Sequence, residues 1–298
     1  MSEMPPAVRA ALAEVEARCD VPVHDARLVH QHSNSAIALP TAGLLVRVAG
    51  NSDALERITS SVAVTRWLAS RGYPCVEPAE MEPFCIDGGV VSTWRLMDVA
   101  EEPPGNGAEL GRLLRELHHQ PSPPIPLRHL TDPFESVAAA IEQHPNGISG
   151  DDRTWLRHQI ERLRHSWTEL IPALPTGLIH GDAHTNNIIR RTTGHAVLGD
   201  WDHVALGPRE WDLIQPHYMT RRFNRHSPSD LRQFTTAYDW DVRHWGGAET
   251  FIRIREITGL SPYIRKAPSD HRARQEAEHR VASLRAGDTS VRWHSPPR

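Results

Sequence analysis

The chain has 298 residues, of which 39% are hydrophobic and 23% charged, and its formal net charge at pH 7 is −4. This balance, without an interleaved basic and aromatic tract, argues against nucleic-acid binding, and no apolar run is long enough to predict a membrane span. The amino terminus lacks a secretory signal pattern and the 3 scattered cysteines fit no disulfide framework, so a cytoplasmic location is expected.

The amino-terminal part of the chain predicts a helix, a small antiparallel sheet and a second helix within it. Short apolar stretches alternate with turn-forming residues, and Asp87-Gly88-Gly89 is a strong hairpin signal. Asp53 and Glu56 form a capping-box pattern at the start of the second helix. The predicted helices cover residues 7–18 and 53–70, and the predicted strands cover residues 26–30, 36–39, 44–48, 84–86 and 90–97.

The hydrophobic period changes after the break at residues 101–107, which is rich in proline, glycine and acidic residues. Beyond it, leucines recur with helical spacing, as in the stretch from Glu109 to His119. The predicted helices lie near residues 109–119, 133–144, 151–170, 209–222, 229–241, 248–258 and 269–285. The chain is therefore expected to be α+β, with a sheet-rich lobe at residues 1–100 and a larger helical lobe at residues 101–298.

One stretch concentrates the residues that carry chemistry. The segment from Leu178 to Ile189 places a polar loop between two apolar dipeptides, with Asp182 in the loop and Asn187 five positions later. A short apolar strand then leads to Asp200, thirteen positions after Asn187. Magnesium prefers a few oxygen ligands together with phosphates and water, while a carboxylate left off the metal can accept a proton from a hydroxyl. This division of labour fits phosphoryl transfer.

Two other interpretations of the same stretch remain open. His180, Asp182 and His184 alternate, and a His-x-Asp-x-His string can supply ligands for a transition metal in a hydrolase. That hydrolase would need further ligands elsewhere in the chain. The second interpretation is an incidental polar turn, which the spacing of Asp182, Asn187 and Asp200 disfavours.

The combined motifs resemble the aminoglycoside phosphotransferase and choline kinase family of small-molecule kinases. The resemblance covers residues 25–260 and rests on His180-Gly181-Asp182, Asn187, Asp200-Trp201-Asp202, Gly207-Pro208 and Asp212-Leu213. It implies a bilobal protein-kinase-like fold that uses ATP and Mg²⁺. By the resemblance, Asp182 is the catalytic base, and Asn187 and Asp200 hold the metal. Asp202 either assists the metal or bonds the loop, while Asp212 and His180 have supporting roles.

The resemblance also assigns nucleotide contacts in the amino-terminal lobe. Arg47 occupies the position of a strand lysine that reaches the ATP phosphates, and Ser35 lies in the turn that covers them. The hinge is expected at residues 97–101, where the backbone of Asp98 and Ala100 would hydrogen-bond adenine. Many relatives pair the strand lysine with a glutamate on the following helix, and this chain has Ser61 at that position.

The acceptor is expected to be a small hydroxylated molecule, with His184 and Glu210 on the substrate side. It could be an aminoglycoside or another antibiotic, which would make the chain a resistance kinase, or a metabolite such as choline, an amino alcohol, homoserine or a sugar. Between Leu206 and Leu260 eight arginines offset seven acids, so no field favours a polycation. A nucleotide-binding pseudokinase remains an alternative, because Arg47 and Ser61 depart from the usual lysine and glutamate.

Overall fold

The structure is a computed structural model that describes residues 4–31, 34–50, 54–101 and 105–294. The described amino-terminal part contains two helices and five strands, close to the predicted positions. They are α1 (Pro6–Cys19), β1 (Arg27–Gln31), β2 (Asn34–Leu39), β3 (Leu44–Ala49), α2 (Leu55–Ser70), β4 (Phe84–Ile86) and β5 (Gly89–Arg95). The capping-box residue Asp53 lies outside the described residues.

The five strands form one antiparallel sheet in the order β1-β2-β3-β5-β4. Side chains alternate between its faces. Val46 and Val48 of β3 are buried in a cluster with residues of α1, whereas Leu45 and Ala49 pack with residues of α2. Arg47 has the same parity as Leu45 and Ala49, so its side chain is on the face that carries α2.

The remaining elements are mainly helical. They are α3 (Gly107–His118), α4 (Glu135–Gln143), α5 (Gly150–Glu169), β6 (Gly177–Ile179), β7 (Ile188–Arg190), β8 (Ala196–Leu198), β9 (Ala205–Gly207), α6 (Glu210–Leu213), α7 (Gln215–Phe223), α8 (Pro228–Tyr238), α9 (Ala248–Thr258), α10 (Ser261–Lys266) and α11 (His271–Arg285). The helix predicted at residues 209–222 is two helices, because Pro216 starts a new one. Helix α10, which was not predicted, also has a proline in its first turn.

The chain forms two compact units whose segments alternate along the sequence. Unit one contains Met1–Gly105, His119–Arg128 and His180–Val204, and unit two contains Asn106–His118, His129–Ile179 and Ala205–Arg298. The segment with Asp182 and Asp200 thus belongs to the same unit as the five-stranded sheet. The predicted α+β class, with an antiparallel sheet and a helical remainder, is confirmed. None of the described helices is long and apolar enough to cross a membrane.

Candidate active site

His180 is completely buried, and both of its ring nitrogens are bonded to the backbone of the loop. Its Nε2 lies 2.9 Å from the carbonyl oxygen of Gly199, and its Nδ1 lies 3.3 Å from the amide nitrogen of Asp182. The carbonyl oxygen of Gly199 can only accept a hydrogen bond, and the backbone amide of Asp182 can only donate one. These two bonds therefore assign the neutral tautomer of His180 with its proton on Nε2. The ring orients the loop, and this geometry weighs against His180 as a metal ligand.

Gly181 brings the backbone close to the following loop. Its φ is +87°, and a Cβ built at this position would lie 2.1 Å from the carbonyl oxygen of His203. The left-handed conformation and the close approach both require a residue without a side chain. Gly181 therefore sets the direction in which the chain leaves His180 and presents Asp182.

The Asp182 carboxylate is accessible, whereas its backbone is held by a neighbour in the loop. The Asn187 side-chain amide donates to the Asp182 carbonyl oxygen at 3.0 Å, and about a third (33%) of the Asp182 side chain is exposed. The His184 Nε2 lies 3.6 Å from Asp182 Oδ2, which is beyond good hydrogen-bond distance. A fixed backbone with an accessible carboxylate is what a base needs to meet an external hydroxyl.

Asn187 and Asp200 lie at the same end of the β7–β8 hairpin. Ile188 pairs with Leu198, and the Gly199 amide extends the ladder by donating to the Asn187 carbonyl oxygen at 2.8 Å. Asp200 follows directly with φ +57°, a conformation that is uncommon for a residue with a side chain. Strain of this kind concentrates at functional sites.

The donor set at this end of the hairpin fits a magnesium ion. The NH₂ group of Asn187 is used by the Asp182 carbonyl, which assigns the amide orientation and directs its oxygen elsewhere. The Asp200 side chain is 48% exposed, and one of its oxygens accepts from Arg47 at 3.2 Å. Hard oxygen donors that retain access to solvent are the ligands that magnesium takes beside phosphates. The assignment of these two residues to the metal stays a prediction.

Arg47 reaches across to the loop that follows β8. Its Nη1 and Nη2 donate to the two oxygens of Asp202 at 2.7 and 2.8 Å, and Nη2 also donates to Asp200. Burial by itself would lower the pKa of the Arg47 guanidinium, but the carboxylates of Asp202 and Asp200 more than offset it and raise that pKa. Arg47 is therefore a permanent cation in unit one, held on two carboxylates.

A cleft of about 440 Å³ opens beside this ion-pair network, entirely within unit one. Its polar side is formed by Arg47 and Asp200, and its other walls are largely apolar and aromatic. The lining residues are His30, Asn34, Ala36, Leu45, Arg47, Val76, Trp94, Arg95, Met97, Asn186, Ile189, Gly199, Asp200 and Trp201. A cleft with largely apolar walls and a cation and a carboxylate on its polar side suits an adenine ring against the walls and phosphates at the polar side.

The structure places one of the predicted nucleotide contacts, Ser35, on the face of the sheet away from this cleft. Ser35 pairs with Val48 in the sheet and so shares the face that carries α1, whereas the cleft is lined by its neighbours Asn34 and Ala36. Ser33, the first residue of the predicted turn, lies outside the described residues. Ser35 therefore does not line the cleft while Asn34 does, because neighbouring strand residues point to opposite faces.

The backbone groups of the predicted hinge contacts are bonded within the protein. The Asp98 carbonyl accepts from the Thr192 amide at 3.0 Å, and the Ala100 amide donates to the Arg190 carbonyl at 2.9 Å. These groups are already used between the segment after β5 and the end of β7. Met97 lines the cleft instead, and its N–H and C=O have no hydrogen-bond partner within the described parts of the chain.

Two acidic residues of the predicted site are buried in unit two. The His118 Nε2 lies 3.2 Å from Asp212 Oδ2, within hydrogen-bond distance, and neither side chain is more than 1% exposed. Glu210 is completely buried and accepts from the Leu174 amide at 2.7 Å. Burial fits the supporting role predicted for Asp212 and disfavours the substrate contact predicted for Glu210.

Among the described residues, no group of three or more His, Cys, Asp or Glu side chains is arranged to hold a metal.

Several cleft residues were missed at the level of the sequence. Trp201 is 1% exposed, its Nε1 donates to the Leu198 carbonyl at 2.9 Å, and its ring contacts His180 at 4.7 Å between centroids. Its place between the two aspartates of Asp200-Trp201-Asp202 was a usable signal. His30 carried no motif, because only the folded sheet brings it to the cleft, whereas Met97 is the first residue of the predicted hinge.

Comparison with known proteins identifies the family of the chain. The model of the phosphotransferase enzyme family matches residues 26–250, whereas no curated protein matches the chain significantly. Similar solved structures include the amicoumacin kinase hAmiN in complex with AMP-PNP, Ca²⁺ and Ami, with a TM-score of 0.68 and 14% identity over 97% of this chain and 98% of that one. A choline/ethanolamine kinase family protein from Mesorhizobium loti has a TM-score of 0.65 and 18% identity, covering 94% and 92%.

A third similar structure is the aminoglycoside phosphotransferase APH(3'')-Id from Streptomyces rimosus, with a TM-score of 0.60 and 15% identity over 83% of this chain and 97% of that one. At such identities the likeness shows the fold alone, which is the protein-kinase-like fold that the motifs implied. The family match, in contrast, extends over most of the chain and includes the whole motif region. The chain belongs to the phosphotransferase enzyme family, whose members act on small molecules.

Proposed function

We propose that the chain transfers the γ-phosphoryl group of ATP to a hydroxyl group of a small molecule, with Mg²⁺. The observation that carries the proposal is the cleft in unit one. Its walls are largely apolar, and Arg47 and Asp200 form its polar side. Asp200 lies at the same end of the β7–β8 hairpin as Asn187. One of the similar structures, the amicoumacin kinase, is a complex with AMP-PNP and Ca²⁺, which supports the proposal of a nucleotide and a divalent cation in this cleft.

The proposed reaction divides simple tasks among these residues. Asp182 orients the acceptor hydroxyl and takes its proton as the oxygen bonds to the γ-phosphorus; the bond from that phosphorus to the bridging oxygen breaks, and ADP leaves. Arg47 neutralises phosphate charge as a guanidinium that is charged at every working pH. Asn187 and Asp200 would hold magnesium, which when bound neutralises further charge on the phosphates. Positioning and charge neutralisation supply most of the catalysis in such transfers.

The acceptor is proposed to be a hydroxylated antibiotic or an amino alcohol. Relatives by fold include kinases named for amicoumacin, for aminoglycosides and for choline or ethanolamine. Two aromatics that could have formed a wall for a cation, Trp211 and Tyr218, are only 5% and 6% exposed and belong to the core of unit two. The near balance of acids and arginines after Leu206 gives no reason to prefer a polycation.

The function is tested by measuring ADP release and phosphorylated product with ATP and Mg²⁺ across a panel of acceptors. The panel contains aminoglycosides, other hydroxylated antibiotics, choline, amino alcohols, homoserine and sugars. Acceptor-dependent ADP release with a phosphorylated product of matching mass is the expected result. Nucleotide binding without turnover on every acceptor would favour a pseudokinase, and zinc retention that depends on His184 would favour the hydrolase.

We further propose that Met97 supplies the backbone contact to adenine. Replacing Met97 by proline removes its N–H, so the dissociation constant for ATP is expected to rise about 5- to 10-fold, the value of one hydrogen bond. Met97→Leu keeps the N–H and the apolar side chain and serves as the matched control. Isothermal titration with AMP-PNP measures both variants. Equal affinities for the two variants would show that adenine does not use this amide.

A further inference from the structure

The ion pair of Arg47 differs from what its position on the strand led us to expect. The resemblance implies a cation on β3 held by a glutamate on the following helix. Here the guanidinium is held by Asp202, 155 residues further along the chain, through two parallel bonds of 2.7 and 2.8 Å. The Asp202 side chain is only 7% exposed and that of Arg47 16%. Bidentate, largely buried pairs of this kind fix both position and orientation.

Helix α2 offers no carboxylate that could take over this role. Its only acid, Glu56, is exposed in the first turn. Ser61, at the position where relatives have the glutamate, is completely buried, and its hydroxyl has no hydrogen-bond partner among the described residues. Arg47 nevertheless points to the face of the sheet that carries α2. Its orientation is therefore decided by the loop after β8 and not by the helix.

We infer that Asp202 is the positioning residue of the phosphate-binding cation, which links the strand directly to the loop that carries Asp200. The inference rests on the proposed function, because it assigns phosphate binding to Arg47. Asp202 keeps the guanidinium plane fixed, and Asp200, the more exposed partner at 48%, is the carboxylate that would hold the metal. Asp202 acts through Arg47 and not as a ligand of the metal.

The pair with Asp202 requires an arginine at position 47, so the lysine that is usual in the family would not bind the nucleotide better. A lysine ammonium is a point charge and cannot make two parallel bonds to one carboxylate. Arg47→Lys is therefore expected to weaken AMP-PNP binding roughly 10- to 100-fold, the range for losing a hydrogen bond to a charged group. Asp202→Asn is expected to weaken binding over the same range, because its amide places an N–H opposite a guanidinium N–H.

A double-mutant cycle tests the inference by titrating AMP-PNP with Mg²⁺ in the absence of any acceptor. If Asp202 acts through Arg47, the Arg47→Lys/Asp202→Asn variant binds no more weakly than the weaker single variant. Independent, multiplicative losses would instead mean that Asp202 contacts the metal or nucleotide directly, which overturns the inference, as would unchanged binding in Asp202→Asn. Ser61→Ala is the control on the helix and is expected to bind as the unaltered protein does.

Three further measurements separate positioning from a general loss of structure. Asp202→Glu retains the charge and is expected to recover part of the affinity lost in Asp202→Asn, and melting curves establish that each variant is folded. If Asp202→Asn does not fold, the test rests on Arg47→Lys, and full affinity of that variant for AMP-PNP would overturn the inference. In a phosphorylation assay, KM for ATP should rise more than kcat falls. The binding cycle needs no acceptor, so failure to find a phosphorylated product bears on the proposed function alone.

Discussion

Asp182→Asn is expected to lower kcat for phosphoryl transfer about 10²- to 10⁴-fold, the usual contribution of a positioned general base. The amide is the same size as the carboxylate and can still accept a hydrogen bond, but it cannot take the proton of the acceptor hydroxyl. The backbone contacts of Asp182 with His180 and Asn187 do not involve its side chain, so the loop should be retained. The change therefore isolates the chemistry of one group.

The measurement is a steady-state assay of phosphorylated product, combined with titration of AMP-PNP to show that the nucleotide still binds. Asp87→Asn is a matched control, because it makes the same chemical change in the β4–β5 turn, where Asn-Gly is as well suited as Asp-Gly. Asp87→Asn should be as active as the unaltered protein. A kcat for Asp182→Asn within a few-fold of the unaltered value would show that Asp182 is not the base.

Gly181→Ala is expected to have the largest effect on stability among changes at the site. A residue with a side chain in the left-handed region costs about 1–2 kcal/mol, and overpacking against the His203 carbonyl adds about 1–3 kcal/mol. The close approach of 2.1 Å is to backbone, which cannot swing away as a side chain does. We expect the melting temperature to fall by roughly 5–15 °C, and activity to fall further because Asp182 is displaced.

Gly194→Ala separates the two causes. Gly194 has nearly the same φ, +83°, but a Cβ there would meet nothing within 4 Å. It should therefore show the conformational cost alone, about 1–2 kcal/mol, and leave activity unchanged. Differential scanning calorimetry on both variants gives the comparison. Equal losses of stability would mean that the contact with His203 relaxes and does not constrain the loop.

The core of the site could be predicted because it is local in the sequence. Asp182, Asn187 and Asp200 belong to one loop and one hairpin, and the turn residues and short apolar strands around them decide their relative positions. The hairpin at Asp87-Gly88 and the leucine face of α3 were predictable for the same reason. In each case a pattern of a few residues is sufficient to specify the local structure.

The parts that were predicted less well depend on long-range pairing. That Asn34 and not Ser35 faces the cleft depends on the register of β2, because a slip of one residue exchanges the faces of a strand. The bonds of Asp98 with Thr192 and of Ala100 with Arg190 connect segments far apart in the chain, so no local pattern predicts that these backbone groups are engaged. The pairing of Arg47 with Asp202 has no local signal, since each residue alone is compatible with several partners.

The alternation of the two units along the chain has a consequence for biosynthesis. The sheet of unit one is complete by Arg95, but the pairing partner of Arg47 and the bonds that Leu198 makes with Val76 and Pro74 come much later. At about 5–20 residues per second, a ribosome needs on the order of 5–20 s to add the roughly 100 residues between them. During that interval Arg47 of the nascent sheet does not yet have its partner, the carboxylate of Asp202. Unit one must therefore finish folding after much of unit two has been made, and a fragment that ends at the hinge would not be an autonomous nucleotide-binding domain.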